Sequence, residues 1–320
     1  MDAKKKNVLI LGGFGFIGLN LLEELSSARG YSVVVFDSAP APAAWAAKAA
    51  CKIYRGNFYR EHDLEKVFEE NKIDIVVHLV STTIPTDSKG SEMVYDIESN
   101  LVPTVKLLCL MNKFGVPKII FASSGGTVYG LPQKGLHTQN FAETWSTNPI
   151  CSHGTVKLAI EKYIQLSSYL YGLEYLILRI SNPYGEHHSS LVQGLINVAL
   201  KNVLAGHPTV IWGDGKVVRD YIYVKDCVKA VRALIDKGIS GETFNVGSGS
   251  GHSVNEILAL IKDVAGEFRV EYVHSRKFDV PMVVLDIPNL EAAVDFNFTN
   301  IKNGTKKTYS WLLRRQPDDC

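Results

Sequence analysis

The sequence opens on glycines spaced for chemistry. Gly12-Gly-Phe-Gly15-Phe-Ile-Gly18 follows an apolar run, Val8 to Leu11, and opens a helical pattern. Glycines in such a turn let the backbone approach a pyrophosphate and let the helix pack closely on the strand before it. The helix N-terminus adds N–H donors and a dipole that favours phosphate. A glycine cluster alone is weak evidence. With a strand before it, a helix after it and an acid, Asp37, ending the next strand, it predicts a dinucleotide site. Asp37 would accept hydrogen bonds from the adenosine ribose and repel a 2′-phosphate, which favours NAD over NADP. The plainer alternative is that Asp37 is a turn residue.

Other reactive side chains carry less. His137, His153, His187 and His188 show no ligand spacing with cysteines or carboxylates, so no metal is expected. Cys51, Cys109, Cys151, Cys227 and Cys320 form no C-x-x-C pair and no even framework. They read as free thiols in a reducing compartment. Cys151 stands two residues before His153, but a nucleophilic Cys–His pair needs adjacency in space.

The elements that must position these groups alternate. Val8–Leu11, Ser32–Phe36, Ile73–Leu79, Lys118–Ala122 and Leu173–Arg179 read as buried strands. Phe16–Leu25, Leu64–Asn71, Leu101–Phe114 and Gly154–Tyr171 read as helices between them. Short apolar strands separated by helices make βαβ units and an α/β fold, a doubly wound parallel sheet covered on both faces. After about Arg179 the rhythm changes. Ser181–Gly185 reads as a loop, Leu191–Leu204 as a helix, Trp212–Gly215 as a turn and Val254–Ala265 as a helix. The expected division is a Rossmann domain over 1–180 that also recruits about 217–250, including Gly241–Val246, and a smaller discontinuous α/β substrate domain over 181–320. Ala39–Ala50 reads as a loop or short helix, and no repeat is evident.

Composition bounds the function. The 320 residues carry 34 Lys+Arg against 33 Asp+Glu, a net charge of +1, which gives no support to nucleic-acid binding through a broad basic field. The start Met1-Asp-Ala-Lys-Lys-Lys lacks the apolar run of a signal peptide, and no stretch approaches the about 18 apolar residues of a membrane span. A cytoplasmic protein is expected.

The Gly12/Gly15/Gly18 spacing is similar to extended short-chain dehydrogenases/reductases. His78-Leu-Val, Asn100–Thr104, Ser123-Ser-Gly-Gly-Thr-Val-Tyr-Gly130, Arg179-Ile-Ser-Asn-Pro-Tyr-Gly185, Trp212-Gly-Asp-Gly215, Arg219–Val224 and Arg276-Lys-Phe-Asp279 resemble the NAD-dependent sugar-nucleotide epimerase/dehydratase branch, which includes UDP-glucose 4-epimerases. The likeness spans almost the whole chain, in order. It implies cofactor contacts at Gly12, Gly15, Phe16, Ile17, Gly18 and Asp37, and beside the adenine at Asn57 and Phe58, where the family more often has Asp at position 57. It implies others at Leu79, Val80 and Ser81, at Asn100, at Lys157 on the nicotinamide ribose, and at Pro183. Asn182, Arg219, Arg276 and Asp279 match residues that hold a sugar nucleotide, and a guanidinium fork suits phosphate as a carboxylate suits a diol. Read alone, the two arginines would be solvated surface charges. Trp212 is either a wall for the base or a core residue. The sugar pocket is expected to draw on Ser81–Thr86, Gly125–Gly126 and His187–Leu191.

The family chemistry is a transient hydride transfer to NAD, in which a tyrosine moves the hydroxyl proton, a Ser/Thr hydroxyl assists and a lysine lowers the tyrosine's pKa. Here the lysine is Lys157, but one turn earlier stands His153, and the hydroxyl position is Gly125, flanked by Ser124 and Thr127. Three readings stay open. His153 acts as acid/base with Ser124 or Thr127 as the hydroxyl, the chain binds without turning over, or His153 replaces the tyrosine in an otherwise ordinary member. A histidine merely packed in a cleft is the plain alternative. The resemblance implies an epimerase inverting C4 of a UDP-hexose or UDP-N-acetylhexosamine through a 4-keto intermediate. A dehydratase or 4-keto reductase is the runner-up, weakened because Gly126-Thr127 stands where a dehydratase carries an acid pair. A catalytically silent NAD- or sugar-nucleotide-binding protein is the alternative of another class. The resemblance also implies a homodimer through Leu101–Phe114 and Gly154–Tyr171, and a place in polysaccharide or glycolipid precursor synthesis.

Overall fold

A computed structural model of the chain describes residues 5–46, 51–85, 90–131, 140–275 and 280–315. The first half runs β1 (Lys6–Leu11), α1 (Phe16–Ser27), β2 (Tyr31–Asp37), α2 (Ala43–Ala46), β3 (Cys51–Arg55), α3 (Glu61–Glu70), β4 (Ile75–His78), α4 (Gly90–Asp96), a π-helical turn (Ile97–Leu101), α5 (Val102–Lys113), β5 (Lys118–Ser124), α6 (Ser152–Tyr171) and β6 (Glu174–Ile180). Then come β7 (Asn182–Tyr184), α7 (Leu195–Ala205), β8 (Thr209–Trp212), β9 (Val218–Tyr223), α8 (Val224–Asp236), β10 (Glu242–Val246), β11 (Gly251–Ser253), α9 (Val254–Ala265), β12 (Val270–Val273), β13 (Met282–Val283), α10 (Pro288–Ala293) and α11 (Ile301–Arg314).

Seven strands form one parallel sheet in the order β10-β6-β5-β4-β1-β2-β3. Side chains alternate faces along each strand. Val8 and Ile10 enter one apolar core with Leu22 and Val231, while Leu9 and Leu11 enter the other with Leu107 and Ile160. Burial on both faces explains the unbroken apolar runs in the sequence. Between β4 and β1 the strand order reverses, and in such sheets ligands bind beyond the carboxyl ends of the strands at that point. This is a Rossmann-type fold.

The remaining strands form a small sheet, β11-β9-β13 with β7 on β9, and a β12–β8 pair. Tyr184, Leu200, Tyr221, Ile257 and Ile261 pack beneath them. Two local expectations change. Ser181–Gly185 is not simply a loop, because Asn182–Tyr184 pairs in parallel with Tyr221–Tyr223. The helix expected from Leu191 begins at Leu195, because residues 188–194 are irregular and Gly194 takes a positive φ of 89°.

Candidate active site

The glycine loop is shaped by contact distances. A Cβ on Gly18 would stand 2.2 Å from the Gly12 carbonyl oxygen, and Gly12 takes a φ of +77°, so both positions exclude ordinary side chains. The bare backbone thus reaches the start of α1. Asp37, at the end of β2, accepts Phe14 N–H at 2.8 Å and Ala39 N–H at 2.9 Å, one on each oxygen. It is a turn residue in this sense, yet each oxygen keeps a lone pair for a diol.

A cleft of about 520 Å³ runs across the carboxyl ends of the strands. Its walls include Gly12, Gly15, Phe16, Ile17, Gly18, Leu79 and Ser81. They also include Ser124, Thr127, His153, Lys157, Asn182, Pro183 and Arg219. The structure therefore brings together residues far apart in sequence. Asp37, Asn57, Phe58, Val80 and Asn100 lie outside that lining. Asn57 forms a turn, accepting Tyr59 N–H and donating its own N–H to Asp63, and Phe58 packs on the His78 ring. Asn100 braces the loop after β4, accepting Thr82 N–H at 3.0 Å. Arg276, Asp279, His137 and Thr86 lie outside the described residues.

Helix α6 carries both Lys157 and His153. It is fixed to the sheet by the buried Glu161 carboxylate, which takes a bidentate bond from Arg179 of β6 and a hydrogen bond from Ser123 of β5. One turn before Glu161, the buried Lys157 ammonium donates to the Ala122 carbonyl at 2.9 Å and lies 4.8 Å from the Phe121 ring centre. Burial lowers its pKa to about 8, against the pull of Asp96 and Glu161 toward the cation. One turn earlier again stands His153. Burial, and then the Lys157 charge, lowers its pKa to about 4, with Asp96 acting the other way. The imidazole is thus neutral at pH 7, with a ring nitrogen lone pair free of its proton.

The missing hydroxyl has a steric reason. A Cβ on Gly125 would stand 2.6 Å from Leu285 Cδ1 and 2.8 Å from the Arg179 carbonyl oxygen. The hydroxyls offered instead are Ser124, at the end of β5, and Thr127. Thr127 Oγ1 is buried and has no hydrogen-bond partner among the described residues, as does Ser181 Oγ on the same cleft. Unpaired buried hydroxyls are costly unless a ligand completes them.

Two further expectations change. Trp212 is 50% exposed, which removes its reading as a core residue. Arg219 is not a solvated surface charge, because it is partly buried and donates to the Val280 carbonyl at 2.7 Å beside Asn182. Of the segments expected around the sugar, Thr83, Ile84, Pro85, Gly126 and His188 reach the cleft, while Leu191 is exposed. The sequence reading passed over Ser181, Gln193 and Gly194 on the cleft wall, and the buried Asp96 behind it. Only Asp96 left a signal, its one-turn spacing from Asn100.

Fold and cleft together define a dinucleotide-binding α/β protein with a second ligand wall contributed by its smaller sheet. The model of the NAD dependent epimerase/dehydratase family matches residues 8–247. A UDP-glucose 4-epimerase of Lacticaseibacillus casei is 33% identical over 282 residues, 81% of this chain and 82% of that protein. A Thermotoga maritima UDP-glucose 4-epimerase crystallised with UDP-glucose superposes with a TM-score of 0.87 at 30% identity, covering 96% of this chain and 99% of the other. The Thermus thermophilus UDP-glucose 4-epimerase in complex with NAD gives a TM-score of 0.87 at 28% identity, with the same coverage. The chain belongs to the NAD-dependent epimerase/dehydratase family, and its cofactor is NAD. The bare glycine backbone and the unpaired hydroxyls on the cleft fit that cofactor. Among the described residues no helix is long and apolar enough to cross a membrane.

Proposed function

We propose that this chain is an epimerase of nucleoside-diphosphate sugars, inverting C4 of a UDP-hexose or UDP-N-acetylhexosamine through a 4-keto sugar. The observation that supports it most is the placing of His153 and Lys157 on successive turns of α6, facing one cleft with the glycine loop, Asn182 and Arg219. When bound, NAD supplies a reversible two-electron acceptor for the carbon that bears the hydroxyl. The chain's own residues do the rest. The glycine loop and the α1 N-terminus receive the pyrophosphate, and Lys157 holds the nicotinamide ribose. His153 takes the C4 hydroxyl proton and returns it, while Thr127 or Ser124 hydrogen-bonds the reacting oxygen. Asn182 and Arg219, with Arg276 and Asp279, hold the sugar nucleotide. Such a protein would act in the cytoplasm.

A silent binding protein is the second reading, favoured by the steric closure of position 125. Proton NMR of UDP-galactose, UDP-N-acetylgalactosamine and their gluco epimers with the purified chain and NAD tests both. New anomeric signals from the wild-type chain support the epimerase and identify the sugar. Signals only from His153→Tyr mean a scaffold disabled by its histidine. Bound NAD with silence from both favours the binding protein, and a stable 4-keto product favours the dehydratase.

We also propose a homodimer. Val102 on α5 and Tyr163, Leu166, Tyr169 and Leu170 on α6 are exposed apolar or aromatic side chains, and α5 packs beside α6. Exposed apolar surface of this kind marks an interface.

A further inference from the structure

Asp96 ends α4 and is only 3% exposed. Its Oδ1 accepts the Thr83 hydroxyl at 2.6 Å and Asn100 Nδ2 at 3.1 Å. Asn100 is itself held, since its Nδ2 also donates to Thr82 Oγ1 at 2.7 Å and its Oδ1 accepts Thr82 N–H. A hydroxyl has one proton and two lone pairs. The Thr83 proton is committed to Asp96, so toward His153 it offers only a lone pair. Thr83 Oγ1 lies 3.4 Å from His153 Nδ1, a long contact of the kind that tightens when substrate fills a site. Among the described residues no other side chain hydrogen-bonds that ring.

We propose that Asp96 and Thr83 are positioning residues for His153: the carboxylate orients the Thr83 hydroxyl to accept Nδ1–H, which leaves the Nε2 lone pair for the cleft. The inference rests on the reading of His153 as proton acceptor. The proton of the substrate hydroxyl moves to Nε2 and the ring becomes an imidazolium. Nδ1 keeps its own proton and its bond to Thr83 strengthens. The Nδ1 proton is not passed on through Thr83, and the proton on Nε2 later returns to the sugar oxygen. Asp96 stabilises the imidazolium while Lys157 opposes it. A neutral ring held in the other tautomer would present N–H, not a lone pair, to the substrate.

The test is long-range 1H–15N NMR of the full chain with NAD, labelled with 15N-histidine, at pH 7.5 and without substrate, His153→Gln assigning the signal. The expected wild-type ring carries its proton on Nδ1. In Thr83→Val the population shifts toward Nε2–H and kcat falls about tenfold or more with KM within about twofold, and Thr83→Ser restores both. A wild-type ring protonated on Nε2, or tautomer populations unchanged in Thr83→Val, overturns the proposal. Turnover that survives His153→Ala overturns the reading of His153 as the base. The substrate-free tautomer signal separates that failure from failure of the positioning.

Discussion

At the scale of single residues, the proposed chemistry rests on His153. If it moves the proton, His153→Ala lowers turnover by about 10²–10⁴-fold while NAD still binds, measured by NMR turnover beside nicotinamide fluorescence. Its titration also has a consequence for stability. Burial lowers the pKa of His153 and of His188 from the ordinary 6.5 to about 4. Below pH 6.5 the unfolded chain therefore takes up protons that the folded chain refuses. Their contribution is complete above that pH and is lost as pH falls toward 4, on the order of 2 kcal/mol per histidine by pH 4.5. Urea midpoints measured at pH 4.5, 5.5 and 7 should rise in that order, and His153→Gln should flatten the slope.

At the scale of elements, the close meeting of the β5 end with Leu285 decides what position 125 can carry. Restoring the family's hydroxyl by Gly125→Thr forces a Cβ against Leu285 and the Arg179 carbonyl. The expected result is a loss of about 1–3 kcal/mol in denaturant unfolding and no gain in turnover. Easy acceptance of threonine with higher activity would show that the strand end moves freely. With position 125 closed, the proposed hydroxyl role falls to its neighbours. Thr127 follows the turn closed by the Ser124 carbonyl, which accepts its N–H, and its own hydroxyl is left for the cleft. Thr127→Val should therefore impair turnover more than stability, by at least about tenfold in kcat against less than about 1 kcal/mol in unfolding.

For the whole molecule, the outer face of α6 is the feature that asks for a partner. Tyr169 is 87% exposed, and Tyr163, Leu166 and Leu170 recur at helical spacing beside it. A second copy of the chain meeting this face would bury that stripe. Light scattering at micromolar concentration should give twice the chain mass for the wild type and the single mass for Leu166→Glu. A monomeric wild type would remove the dimer. Because a partner that binds only the folded chain stabilises it, the variant should lose thermal stability along with its partner.

Much of the nucleotide side of the site was legible in order along the chain. The glycine loop and the alternating strands and helices are local patterns, and local periodicity is what a linear sequence records directly. The one-turn spacing of His153 and Lys157 is of the same kind, since both fall inside α6. What lay beyond reading was the pairing of distant segments. Only the tertiary structure put Asn182–Tyr184 on β9 as a strand, set Leu285 against Gly125, and lifted Thr83 between Asp96 and His153. Strand pairing and side-chain hydrogen bonds across the fold depend on chain path and excluded volume, which no window of neighbouring residues encodes. The residue types pointed to a dinucleotide and to a histidine and a lysine one helical turn apart, and the packing of distant segments decided which hydroxyls and which carboxylate stand near them.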